Sequence, residues 1–208
     1  MAFTREKSTG TPRLALIAIA LAGLLVLITG VFLAVAYREG PKGVAGGVLG
    51  SAIGGPFHLV DHNGKPFTEA DLKGKWHLIF FGFTHCADTC PTTLSELSVA
   101  LDQLGTGRDA VRIVFISVDP ERDTPDVLKS YVSSFGAIIA LTGTADEVKQ
   151  AAKAYRVYYA KHPLAGGDYD MDHSAVIYVM DPEGHFATTL SPAAPAADLA
   201  ARLKKLLS

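Results

Sequence analysis

Residues 76–94 read Trp-His-Leu-Ile-Phe-Phe-Gly-Phe-Thr-His-Cys-Ala-Asp-Thr-Cys-Pro-Thr-Thr-Leu, a nearly unbroken apolar run that ends at two cysteines. An apolar run that does not alternate predicts a strand covered on both faces, here His77 to Phe83, and so a layered α/β arrangement. Pro91, Thr92, Thr93 and Leu94 predict the opening of an amphipathic helix. Cys86 and Cys90, the only cysteines among the 208 residues, therefore fall at a strand-to-helix turn. Thiols at a helix start feel the positive end of its dipole, which favours the thiolate form. Thiolates serve both disulfide exchange and soft-metal binding, and the turn alone does not choose between them.

The surrounding pattern supplies the layers. Pro56–Val60 and Lys65–Thr68 flank Asp61-His-Asn-Gly64, whose Asn-Gly pair predicts an N-terminal β-hairpin. Glu69 to Leu72 predicts a short turn of helix. The helix from Pro91 to Leu104 carries Leu94, Leu97, Leu101 and Leu104 on one stripe and stops at Gly105. Val111 to Val118 is a second buried strand. Thr124 caps a helix with Pro125 at its first position and Val127, Leu128, Tyr131, Val132 and Phe135 on its apolar face. Ile138 to Leu141 is a short strand, and Thr144 with Glu147 forms a capping box for a helix reaching about Tyr155. Ser174–Met180 and His185–Leu190 enclose the turn Asp181-Pro-Glu-Gly184, and Pro195 to Leu207 closes as a helix. The sum is α/β: a parallel βαβ core, then a hairpin and a helix. A cysteine pair at the first strand-to-helix turn of such a core predicts a thioredoxin-like fold.

Ahead of this domain, residues 14–37 carry no charge, and 24 helical residues rise about 36 Å, enough to cross a bilayer core of about 30 Å. Arg5, Lys7 and Arg13 precede the block, against Arg38 and Lys42 after it, which predicts a cytoplasmic N-terminus at 1–13. Ala34-Val-Ala36 resembles a signal-peptide cleavage site. The apolar block is longer than the usual core of about 7 to 15 residues, so an uncleaved single-pass anchor is expected. No long Arg/Ser-rich leader comes before it, which fits a bacterial inner membrane with the C-terminal domain in the periplasm. Residues 38–55 are glycine-rich and read as a tether, leaving 56–208 as the folded domain. A net charge of −2 gives no reason to expect nucleic acid as a partner.

Export would make a structural disulfide the plain reading of two cysteines. Such a bond closes a ring of only a few residues and removes little unfolded-state entropy, so a functional pair is the stronger reading. Thiol-disulfide oxidoreductases normally space their thiols Cys-x-x-Cys, whereas this chain has Cys-x-x-x-Cys. A peroxidase would need a Thr-x-x-Cys motif, and Thr89 is in the wrong register for it. With four-residue spacing the two sulfurs are expected to converge on one point in solvent, which suits a shared metal as well as a disulfide. Thioredoxin-like enzymes are similar to one another in placing a cis-proline opposite the cysteines. Here that stretch is Tyr169-Asp-Met-Asp-His173-Ser174-Ala-Val-Ile-Tyr178, without proline, and His173 occupies the approach to the strand. Two thiolates and an imidazole suit Cu(I), whereas Zn(II) would want a fourth ligand.

Ordered motifs carry a resemblance over about Gly55 to Gly184. They include Gly55-Pro-Phe-His-Leu-Val-Asp61, Phe80-Phe-Gly-Phe-Thr-His-Cys86, Cys90-Pro-Thr-Thr-Leu94 and Ser117-Val-Asp-Pro-Glu-Arg-Asp-Thr-Pro125. Leu141-Thr-Gly-Thr144, Tyr155-Arg-Val-Tyr-Tyr159, Asp172-His173 and Asp181-Pro-Glu-Gly184 follow in order. The chain thus resembles the Sco/SenC family of copper-binding assembly proteins. That resemblance implies a thioredoxin-like domain holding one copper, Cu(I) or Cu(II), through Cys86, Cys90 and His173. It implies cytochrome c oxidase subunit II, or a similar copper recipient, as partner, with a periplasmic copper donor. It implies a metallochaperone for the dinuclear copper centre. The alternative is a reductase that uses Cys86 and Cys90 to keep the recipient's cysteines reduced. One departure is Ala87, where the family often has proline.

Other residues weigh less. His85 and Asp88 adjoin the pair and read as structural and solvated. The Asp119–Pro125 loop reads either as helix capping or as partner contact. His162 lies in Ala160–Asp168, expected to be a mobile loop that closes His173 over copper. His58, His62, His77 and His185 show no clustering.

Overall fold

The computed structural model describes residues 53–208, together with residues 17, 21, 23, 27, 29 and 30. The expected anchor at 14–37 lies largely outside the described residues. Those of its residues that are described are helical, with Ile17, Leu21 and Leu27 exposed. Among the described residues no helix is long and apolar enough to cross a membrane.

The predicted hairpin forms as β1 (His58–Asp61) and β2 (Pro66–Thr68), followed by a 3-10 turn at Glu69–Leu72. Asp61 Oδ1 accepts the amides of Asn63 and Lys65 at 2.8 and 2.9 Å, and Gly64 supplies the positive φ of 75° that the turn requires. β3 (Trp76–Gly82) leads to α1 (Thr89–Asp102), and β4 (Val111–Ser117) leads to α2 (Pro125–Val132). β5 (Ile138–Thr142) leads to α3 (Ala145–Ala154). A separate pair, β6 (Tyr159–Pro163) and β7 (Tyr169–His173), precedes β8 (Ile177–Met180), β9 (Phe186–Leu190) and α4 (Ala196–Leu207).

The main sheet runs β2-β1-β5-β4-β3-β8-β9. β3, β4 and β5 are parallel, while β1 and β8 join them antiparallel. This is the expected α/β, thioredoxin-like arrangement, with the N-terminal hairpin added at one edge.

Strand alternation explains why the β3 run is apolar throughout. Phe80 and its register partner Phe115 share one face, and Phe115 continues to Tyr131 of α2, with centroids 6.3 and 5.7 Å apart. Phe81 points the other way, onto Tyr155 and Tyr178 at 5.5 and 6.3 Å. Both faces are covered, and every β3 residue after the half-buried Trp76 is buried. The caps form as the sequence predicts. Thr124 accepts from Val127 N at 3.4 Å, and Thr144 and Glu147 exchange bonds in a capping box.

Several boundaries differ from expectation, among them the end of α2 at Val132, after which Ser133–Phe135 is a 3-10 turn. α1 begins at Thr89 and ends at Asp102, with a 3-10 segment over Gly105–Ala110 in place of a stop at Gly105. The expected strand from Ser174 begins only at Ile177. Residues 160–163 of the expected loop instead belong to β6, paired with β7 in register from Tyr159↔His173 to Pro163↔Tyr169, and 164–168 connect the two strands. Gly166 and Gly167, with φ of 90° and 86°, let the chain reverse between its strands.

His77 is buried at the start of β3 with its Nδ1 2.9 Å from the Lys75 carbonyl, and burial holds its pKa down to about 4. The folded state therefore refuses a proton that the unfolded chain accepts near 6.5. Its contribution to stability is complete above the unfolded value and is lost as pH falls towards 4. Urea unfolding at pH 7, 5.5 and 4 is expected to show a loss of up to about 3 kcal/mol from this group. His77→Leu is expected to flatten that part of the acid slope.

Candidate metal centre

β3 stops at Gly82, and the chain turns through residues 83–88 into α1. Asp88 stands at the N-cap without a side-chain cap bond. The Cys90 amide instead donates to Cys86 Sγ at 3.4 Å, so a sulfur stands in the role of a capping oxygen. Because the helix starts at Thr89, Pro91 occupies its third position. Its missing N–H costs nothing there, since first-turn amides have no partner within the helix. This earlier start also turns Cys90 inward.

Cys90 has no exposed surface, whereas Cys86 is half-buried, and both thiols are free. The expectation that both sulfurs converge in solvent therefore fails. The reason is the close approach of α1 to β3. A Cβ placed on Gly82 would stand 2.8 Å from Cys90 Sγ and 2.7 Å from the Phe115 ring, so only glycine lets the helix start settle there. The dipole argument fails for Cys90 as well: burial pushes its thiol up, and the nearby Cys86 and Asp123 push the same way.

His173 ends β7 with Nε2 3.7 Å from Cys90 Sγ. Its Nδ1 lies 3.2 Å from the Ser174 carbonyl. With the Nδ1 proton donated to that carbonyl, Nε2 presents its lone pair to the sulfur. Phe80 and Phe83 stand edge-on to the ring at 6.1 and 5.8 Å. Burial pushes the His173 pKa down, which keeps the imidazole neutral. Two sulfurs and one nitrogen, if drawn together, would make a soft set suited to a soft cation that displaces thiol protons.

Cys90 and His173 are brought together, and Cys86 adjoins them through the Cys90 amide. Among the described residues no three His, Cys, Asp or Glu side chains already stand close enough to hold a metal. A shallow depression of about 290 Å³ opens beside the trio, lined by His85, Cys86, Asp170, Met171, Asp172 and His173. Asp88 receives Thr92 Oγ1 at 3.3 Å, and His162 pairs across the hairpin with Asp172 at 2.8 Å. His62 accepts the Ala140 amide through Nδ1 at 3.1 Å, and His185 lies beside Asp181 at 3.6 Å.

Sequence reasoning missed Asp123. Its carboxylate, wholly buried, accepts Thr84 N at 3.0 Å, Thr84 Oγ1 at 2.6 Å and Ser117 Oγ at 2.6 Å. It fastens the cysteine loop two residues ahead of Cys86. Burial pushes its pKa up, against the pull of those hydrogen bonds. The available signal was an acidic residue held within a short loop directly after a buried strand.

A family model, SCO1/SenC, matches residues 47–208. The chain is 51% identical over 144 residues to Protein SCO2, mitochondrial, of Saccharomyces cerevisiae, covering 67% of this chain and 48% of that one. The chain thus spans about half the length of the curated relatives it matches. The structure of Bradyrhizobium japonicum ScoI with copper bound superposes with a TM-score of 0.70 at 50% identity, covering 74% of this chain and 99% of that one. BsSco is described as a member of the Sco family of cytochrome c oxidase assembly proteins, in which a disulfide switch is identified. It gives a TM-score of 0.59 at 26% identity, covering 77% of this chain and 95% of that one.

Gly82→Ala is expected to destabilise the protein by about 1–3 kcal/mol through overpacking, measured by urea unfolding. Cys90→Ala in the same chain is expected to recover part of that loss, because the two positions share one contact.

Proposed function

We propose, from the premise that the chain belongs to the SCO1/SenC family, that it carries one copper ion, Cu(I) or Cu(II), on Cys86, Cys90 and His173. It would deliver that ion for assembly of the dinuclear copper centre of cytochrome c oxidase, with subunit II or a similar protein as recipient. The observation that carries this reading is the 3.7 Å approach of His173 Nε2 to Cys90 Sγ, with the ring tautomer set by Ser174. His173 already faces the cysteine, so no loop closure is needed to bring it in. Cys86 is the half-buried member, and its sulfur joins the other two donors as cargo enters from the depression. The copper-bound B. japonicum structure supports the choice of metal.

The uncharged block at 14–37, with more positive charge before it than after it, supports a single-pass anchor in a bacterial inner membrane. The copper domain would then face the periplasm, where a copper donor and the recipient would meet it.

A second reading rests on the unequal exposure of the two thiols. Cys86, the accessible one, would attack a recipient's disulfide as thiolate, and one recipient sulfur would leave as a thiolate. Cys90 would then displace the second recipient sulfur from the mixed disulfide, oxidising the pair and reducing the recipient by two electrons. The disulfide switch of BsSco supports keeping this alternative.

Anaerobic Cu(I) titration of the reduced full-length chain against a competing chelator is expected to show one tightly held ion. His173→Ala is expected to weaken binding by more than about a hundredfold, beyond the loss usual for groups that merely support a ligand. Binding indifferent to His173 would remove the copper reading and leave thiol-disulfide exchange, which this substitution spares.

A further inference from the structure

His173 is carried by a hairpin that belongs to no other sheet. A two-stranded hairpin is marginal in water by itself, so external contacts must hold its orientation. At the base, Ser174 N donates to the Tyr158 carbonyl at 2.9 Å, and Tyr158 N donates to Ser174 Oγ at 3.1 Å. At the outer end every polar fastening comes from residues 119–122. Tyr169 OH donates to Asp119 Oδ1 at 2.7 Å, and Arg122 donates to the Tyr169 carbonyl at 2.9 Å. Arg122 Nε also donates to Asp119 Oδ2 at 2.5 Å. The Arg122 and Lys161 cations each lie 3.7 Å from the Tyr169 ring centre, and Lys161 donates to Glu121 at 2.7 Å.

Asp119 is only 2% exposed, and its own amide is held by Ser117 Oγ at 3.0 Å, so this anchor does not yield easily. Along β7, Tyr169, Met171 and His173 share one strand face. A displacement at Tyr169 is therefore passed down the strand to the imidazole. The next residue of the same loop, Asp123, holds Thr84 ahead of Cys86. One short segment thus grips both sides of the centre.

We infer that Asp119, Arg122 and Tyr169 are positioning residues that set the separation of His173 from the cysteine pair, acting on the metal only through His173. The inference rests on the copper reading above. Metal ligands held by supporting groups typically lose about 10–100-fold in affinity when that support is removed.

The test is a double-mutant cycle by anaerobic Cu(I) competition on the full chain in mild detergent, using unmodified protein, Tyr169→Phe, His173→Ala and the double variant. Tyr169→Phe keeps the ring between its cations and deletes only the hydroxyl that reaches Asp119. The expected result is a loss of about tenfold or more in the unmodified background and less than about twofold where His173 is already alanine. Equal losses in both backgrounds, or no loss in either, would overturn the inference and make the clamp a purely structural brace. Arg122→Lys, which keeps the charge but not the two-way bridge, is read by the same criterion and serves if Tyr169→Phe does not fold. If the unmodified chain holds copper no better than His173→Ala, the copper reading itself fails, and this inference with it.

Discussion

The Asp123 carboxylate has no exposed surface and three hydrogen bonds, and the geometry of the centre depends on it. It joins the end of β4 to the first residues after β3, two strands that run side by side in parallel. Parallel strands deliver their C-terminal ends to the same edge of the sheet, which is where α/β folds gather function. Asp123 turns that general tendency into a fixed spacing between loops. A buried carboxylate survives here because every bond it makes comes from a donor on the segments it ties together.

Around that fixed frame, burial favours the neutral form of both Cys90 and His173. It pushes the Cys90 thiol up and the His173 imidazole down, so both are neutral at neutral pH. A neutral thiol beside a neutral imidazole avoids placing an ion pair in an apolar pocket, which would be costly. Uptake of a soft cation would release thiol protons, so occupancy of such a centre is linked to pH through the thiol rather than through the ring. The aromatic edges of Phe80 and Phe83 hold the ring in place without competing for its nitrogens.

What the sequence disclosed was local. Thr124 and Thr144 announce helix starts because capping is decided within four residues, and Asn63-Gly64 and Glu183-Gly184 announce turns for the same reason. The apolar run into the Cys86–Cys90 turn fixed the class of fold, and His173 emerged from its place before β8. What stayed hidden was decided across the fold. The start of α1 depends on how closely Gly82 lets Cys90 approach, a contact that no spacing rule contains. The segment at 160–168 reads as polar loop because β6 is exposed over Lys161, His162 and Pro163 and carries no apolar alternation. Its order comes from Asp119 and Arg122, about fifty residues away in sequence.

The two outermost strands of the main sheet also have a consequence for how copies of the protein meet. β2 is three residues long and begins with Pro66, which offers no amide to a neighbour. At the other border β9 pairs with β8 through a register shift between Val179 and Met180, which bends the ladder. Neither border presents a flat row of free amides and carbonyls. At these two borders of the main sheet, crowded copies therefore meet poor templates for strand addition, and the main sheet resists growing into a fibre at either side.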